Sequence, residues 1–152
     1  MKPLLLPLAL AALPLLAASN AAAQAGPDGL ALFAKHCAIC HGADASGIVG
    51  LAPPLKGDHW GKLGADRRYL PTVLLHGLSG NIKVNGQSYI GSMPPFAGQL
   101  DDALLADVAN ALRTLQGGPE TAPYSADDFK PLRGVVGSPP ATRALRIKLL
   151  GG

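Results

Sequence analysis

Apolar positions recur along this chain at changing intervals, and the changes divide it. Residues 3–18 form a nearly unbroken apolar run behind Lys2, interrupted by Pro7 and Pro14 and followed by the small residues Ala21, Ala22, Ala23 and Ala25. A short positive start, an apolar stretch and a small-x-small site make up the pattern of a cleavable secretory leader. The run is too short and too broken for a comfortable bilayer span. Residues 1–25 are therefore expected to be removed, by cleavage after Ala25 or after Ala23, and no cysteine follows them to accept a lipid. The mature chain is expected to be periplasmic and to carry no transmembrane anchor.

Beyond the leader the spacing becomes helical. Asp28 is placed to cap a helix from Gly29 to Cys40, with Leu30, Phe33 and Cys37 three to four residues apart on one face. From Gly42 to Gly64 neither period persists and Gly and Pro abound, so a long wrapping loop is expected. Asp66 predicts a second helix reaching Leu78, with Pro71 tolerable near its first turn and Gly77, Gly80 and Asn81 ending it. Ile82 to Ile90 reads as a short hairpin or a loop around Asn85 and Gly86. It leads into Ser92, Met93, Pro94 and Pro95, a stiff, irregular stretch.

Asp101 opens the clearest helix, Asp102 to Gln116, with Leu104, Val108, Leu112 and Leu115 as its stripe and Gly117 at its stop. After Gly118 the composition turns to Pro, Ser, Gly and basic residues. Ser125 with Asp128 resembles a capping box, and Pro139 and Pro140 precede a further possible helix, Ala141 to Leu150. There is no internal repeat. The expected layout is an all-α class: one small helical domain at residues 26–118 and an irregular extension with short helices at 119–152.

Composition changes this picture in one respect. Hydrophobic residues make up 48% of the chain but aromatics only 5%, so a core this small must take its bulk from aliphatic side chains or from a group that is not an amino acid. Charge excludes a class of partner. Residues 26–117 carry seven Lys and Arg against seven Asp and Glu, which is not the field of a nucleic-acid binder. The positive excess lies in the tail, where Arg133, Arg143, Arg146 and Lys148 have no acidic neighbours in sequence.

The chemistry is concentrated at Cys37-Ala38-Ile39-Cys40-His41. Two thiols one helical turn apart match the two vinyl groups on one edge of a haem, and the adjacent imidazole then points at the iron. The same spacing allows a disulfide, a thioredoxin-like redox pair or part of a zinc site. A disulfide would close a very small loop and stabilise little. A redox pair wants a strand before the motif, whereas here a helix precedes it. Zinc needs four ligands, and although His36, His59 and His76 are available, there is no second cysteine pair. For a second axial position the mature chain offers Met93 and those histidines. A lone methionine is ordinarily core filling, but Met93 is the only methionine after the initiator and sits between helices rather than on an apolar face. His59 and His76 read as loop or surface histidines.

These motifs, in this order, resemble the class I c-type cytochromes, specifically the monohaem domains of bacterial respiratory and dehydrogenase-associated cytochromes. The likeness runs over roughly Gly29 to Gln116. Cys37 to His41 matches the attachment motif, Ala52-Pro53-Pro54-Leu55 the proline loop, and Met93-Pro94-Pro95-Phe96 the methionine loop; Leu75 to Gly80 and the final helix are also similar. The resemblance implies one covalent haem c on Cys37 and Cys40, with His41 and Met93 as iron ligands. It also implies that the carbonyl of Pro53 or Pro54 accepts from the second nitrogen of His41, and that Trp60 reaches a haem propionate, the alternative being a half-buried loop aromatic. The family's aromatic in the last helix is replaced here by Ala111.

An iron with both axial positions filled by protein has no open site for substrate. The expected role is therefore carriage of single electrons rather than catalysis, at a relatively high potential because thioether ligation favours ferrous iron. The expected partners are a dehydrogenase or a terminal oxidase of a respiratory chain. The alternatives are a haem-based ligand sensor or weak peroxidase in which Met93 dissociates, and a haem-free thiol oxidoreductase.

Overall fold

The structure, a computed structural model, describes residues 27–117 and 122–151; the leader expected at 1–25 lies outside the described residues. The elements run α1 (Pro27–His36), α2 (Ala38–His41), α3 (His59–Ala65), α4 (Tyr69–His76), β1 (Leu78–Val84), β2 (Gln87–Met93), α5 (Asp102–Leu115), α6 (Ala126–Arg133) and α7 (Pro139–Leu150). Helices dominate, as the periodicity predicts. The hairpin of β1 and β2 adds strand that an all-α description leaves out.

The single helix expected over Gly29–Cys40 is two. Cys37 sits between α1 and α2 at φ −119°, off the helical value, so the backbone turns as it enters the motif. The buried face of α1 also differs from the expected stripe: Leu30 is exposed, and Gly29, Phe33 and Cys37 face inward. Gly29 is where α1 crosses α5. A Cβ built there would lie 2.6 Å from the carbonyl oxygen of Asp107 and 3.4 Å from the Cβ of Ala111. With two small residues at the crossing the helix axes approach closely, which is what Ala111 supplies in place of an aromatic.

Residues 42–64 are not one loop throughout. Their last part forms α3 despite Gly61 and Gly64, because Leu63 is fully buried against Tyr69 and Val73. Burial of a leucine side chain is worth about 1.5–3 kcal/mol, enough to offset about 1 kcal/mol of helix propensity at each glycine. The next helix begins later than expected, at Tyr69. Asp66 organises the turn before it, its carboxylate accepting from the Arg68 backbone N–H at 3.0 Å.

β1 and β2 pair antiparallel from Leu78↔Met93 to Val84↔Gln87. Asn85 and Gly86 form the two-residue connection at φ 52° and 78°, the left-handed backbone that a tight hairpin turn requires and that Asn-Gly tolerates. The hairpin option in the sequence is thus the one realised, and its strands extend beyond the expected span at both ends.

Asp101 caps α5, accepting from the Leu104 N–H at 2.9 Å. The inward stripe is Leu105, Val108, Ala109 and Leu112, with Leu104 turned to the surface. These pack with Phe33, Leu74, Phe96 and Phe129 in the larger core cluster. A smaller cluster gathers Leu63, Tyr69 and Val73 with Leu145 and Leu149 of α7.

The described part of the tail after Gly118 carries two helices. α6 carries the expected capping box of Ser125 and Asp128 and packs on α5 and α4, while α7 packs on β1, α4 and α3. Two of its basic residues, Arg133 and Arg143, find an acid or carbonyls elsewhere in the fold. Arg133 pairs with Asp102 at 2.7 Å and donates to the carbonyls of Ala97 and Leu100.

Candidate cofactor site

Trp60 and Met93 border both core clusters, and between those clusters lies a cavity of about 550 Å³. Cys37, Cys40, His41, Pro54, Trp60 and Met93, the residues singled out in the sequence, all line it. They arrive on different elements: the two cysteines and His41 at the α1–α2 junction, the prolines on the following loop, Trp60 on α3, and Met93 at the end of β2.

His41 is buried, 7% exposed, and its Nδ1 lies 2.8 Å from the carbonyl oxygen of Pro53. A carbonyl can only accept, so Nδ1 carries the proton and Nε2 keeps a lone pair. Burial holds the His41 pKa below its ordinary value, with the bond to Pro53 working against that. Of the two carbonyls implied by the resemblance, the acceptor is that of Pro53; Pro54 contributes wall. The loop is held in place by Leu55 N–H donating to the Ala45 carbonyl at 2.9 Å and by Gly47 N–H donating to the His41 carbonyl at 2.7 Å.

Burial pushes the Cys37 thiol up to about 11, and neighbouring Cys40 adds to the rise. A thiol this reluctant to ionise lacks the depressed pKa of a dithiol redox catalyst. Among the described residues no three of His, Cys, Asp and Glu gather in a metal-holding group, and the histidines do not assemble a zinc site around the cysteine pair.

Met93 does not lie in irregular backbone, as its flanking prolines suggested, but closes the hairpin as the partner of Leu78. Its position depends on Gly77, which has φ 73° and no side chain: a Cβ there would collide with the Met93 carbonyl and come within 3.0 Å of the Pro95 nitrogen. Past the prolines, Phe96 N–H donates to the Leu74 carbonyl at 2.9 Å, so the segment carrying Met93 is tied to β1 on one side and to α4 on the other.

The cavity walls are largely apolar, with few polar groups. Three of these are buried polar atoms that have no hydrogen-bond partner among the described residues: Nδ1 of His59, Nε1 of Trp60 and Nη2 of Arg146. Unpaired buried donors are costly, and their presence in one apolar cavity fits a flat hydrophobic cofactor that brings its own acceptors. A haem has that chemistry, with an apolar ring and two carboxylate arms. His59 is thus a wall residue rather than a surface histidine. Arg146 was missed in the sequence, where it reads as one of several tail cations; only its burial, with Thr142, on α7 sets it apart.

Comparisons with known proteins agree with this chemistry. Residues 24–110 match the sequence model of the family described as cytochrome c oxidase, cbb3-type, subunit III. A cytochrome c-552 of Thermus thermophilus is 40% identical over 134 residues, covering 84% of this chain and 88% of that protein. The cytochrome c subunit of a quinone alcohol dehydrogenase from Gluconobacter oxydans is 31% identical across 83% of this chain, but the match spans only 26% of that longer subunit. A cbb3-type cytochrome c oxidase subunit FixP from Rhizobium etli is 37% identical over 53% of this chain and 27% of its own length.

Proposed function

This chain belongs to the class I c-type cytochromes, and from that premise we propose that it is an exported, monohaem carrier of single electrons with His41 and Met93 as axial ligands. The observation that carries this reading is the convergence of His41, its Nδ1 committed to Pro53, with Met93, Cys37 and Cys40 on one apolar cavity. When bound, the haem supplies one-electron iron chemistry. The chain's own residues do the rest. Cys37 and Cys40 offer thiols for covalent attachment, Pro53 fixes the tautomer and orientation of His41 and makes Nε2 a better donor, and Met93 offers a soft thioether that favours the ferrous state.

Exit and entry of the electron need an accessible edge. Ile39, Leu51 and Ile90 line the cavity yet are 77%, 54% and 79% exposed, which gives its mouth an apolar rim suited to brief, small contacts with a larger redox protein. Such a partner is a periplasmic dehydrogenase or a terminal oxidase, in line with the subunits to which the chain is similar. No helix among the described residues is long and apolar enough to cross a membrane.

The test is the visible spectrum of oxidised and reduced protein, for wild type and Met93→Ala, together with the mass of the denatured chain. Wild type is expected to retain one haem mass and a low-spin spectrum in both states. Met93→Ala is expected to keep the haem, lose the thioether signature and fall in potential. A colourless wild type of bare polypeptide mass, or a Met93→Ala spectrum identical to wild type, overturns the corresponding part of the proposal.

A further inference from the structure

α7 is the last element among the described residues, and sequence reading assigns it no role at the cofactor site. One of its side chains nevertheless reaches the cavity. Arg146 is 5% exposed, lines the cavity wall, and donates through Nη1 to the Tyr69 hydroxyl at 3.3 Å. Among the described residues its Nη2 has no partner and no carboxylate forms an ion pair with it.

A buried, permanently charged guanidinium without an anion is a large cost unless something negative joins it. Beyond the Tyr69 hydroxyl, the groups around it supply further unpaired nitrogens rather than an anion. The Trp60 ring lies 5.8 Å from His59 and 6.0 Å from Tyr69, centre to centre, and both Nε1 of Trp60 and Nδ1 of His59 are also unpartnered. The Arg146 charge also contributes to holding the pKa of His59 below its ordinary value, burial being the larger cause, so the two share one electrostatic neighbourhood. Three unsatisfied nitrogens from α3 and α7, one of them cationic, form a pocket for a carboxylate.

We propose that Arg146 of α7, with Trp60 and His59 of α3, binds a propionate of the haem, making the C-terminal helix part of the cofactor site. The inference rests on the haem reading above and adds to it a residue outside the stretch over which the sequence resembles the class I domain. A guanidinium fixed beside a propionate opposes the extra positive charge of ferric iron, so it raises the potential. It also fastens α7 across the cavity: the helix is held through Leu145 and Leu149 on the smaller core and through Arg146 on the cofactor itself.

The test compares holoprotein of wild type, Arg146→Gln, Arg146→Lys and Lys148→Gln by redox titration against a fixed mediator. Lys148, exposed on the same helix, controls for charge alone. Arg146→Gln is expected to shift the ferrous-to-ferric ratio about tenfold toward ferric, about 59 mV by the one-electron conversion. Arg146→Lys is expected to recover most of that shift, and Lys148→Gln to leave the ratio unchanged. No shift in Arg146→Gln, or an equal shift in Lys148→Gln, overturns the proposal. If Arg146→Gln does not accumulate, the resonance Raman propionate bending band decides it: a band that moves between wild type and Arg146→Lys supports direct contact, and one that stays overturns it. Absence of haem from wild type is a different result, and it sinks the underlying reading instead.

Discussion

His41 and Asn110 are among the buried polar side chains that are matched to backbone groups. His41 answers to Pro53. Asn110, 9% exposed, donates to the Tyr124 carbonyl at 2.9 Å and accepts from the Tyr124 N–H at 2.8 Å, closing a two-bond clamp between α5 and the segment ahead of α6. Asn110→Ala strands both backbone groups away from water and is expected to cost about 1–3 kcal/mol, measured by denaturant unfolding of the holoprotein. A loss within error of zero would mean that water reaches Tyr124. The contrast between residues legible in the sequence and those hidden is physical. Cys37, Cys40 and His41 are neighbours in the chain, so their relation is visible as spacing. Arg146 and His59 acquire theirs only when α3 and α7 pack together, and nothing local distinguishes Arg146 from Arg143.

At the level of elements, the hairpin delivers Met93, and Gly77 makes room for it. Gly77→Ala puts a Cβ into the Met93 carbonyl at a backbone angle that L residues rarely adopt. Strain of this kind costs about 1–3 kcal/mol, and the expected outcome is loosened sulfur ligation: a weaker near-infrared thioether-to-iron band and measurable carbon monoxide binding by undenatured holoprotein. An unchanged band with no carbon monoxide binding would detach Gly77 from the positioning of Met93. The elements legible in the sequence are those whose signals are local: the Asp101 cap of α5, the Asn85-Gly86 turn and the capping box of α6. Those that were not legible depend on tertiary burial. Nothing in His59–Ala65, with two glycines, announces α3, and the inward turn of Leu105 instead of Leu104 follows from the close crossing with α1 at Gly29 and Ala111.

Over the whole molecule, charge ties the tail to the rest. Arg67 grips Asp128 through two bonds of 2.6 and 2.9 Å, donates to the carbonyls of Ala122 and Pro123, and lies 4.4 Å over the Tyr124 ring. Hydrogen bonding to Arg67 is the main cause holding the Asp128 carboxyl below its ordinary value. A carboxyl depressed in the folded state contributes stability that is present above the ordinary carboxylate range and is lost as pH falls through the lowered value. Amide protection in α6, corrected for intrinsic exchange, is therefore expected to fall in acid and to be low already at neutral pH in Arg67→Gln. Protection that stays level through the acid range would show that apolar packing through Phe129 alone secures α6. The sequence set the tail apart by its composition and its basic excess, but an arginine and its acid on separate helices leave no mark that composition can report.

The placement of Arg146 has a consequence for how the protein is made. A ribosome produces residues 37–41 long before residue 93, and residue 93 long before residue 146. The two thiols are thus made well before the wall that α7 contributes. Chain growth itself leaves the attachment point accessible until α7 is there to close over it.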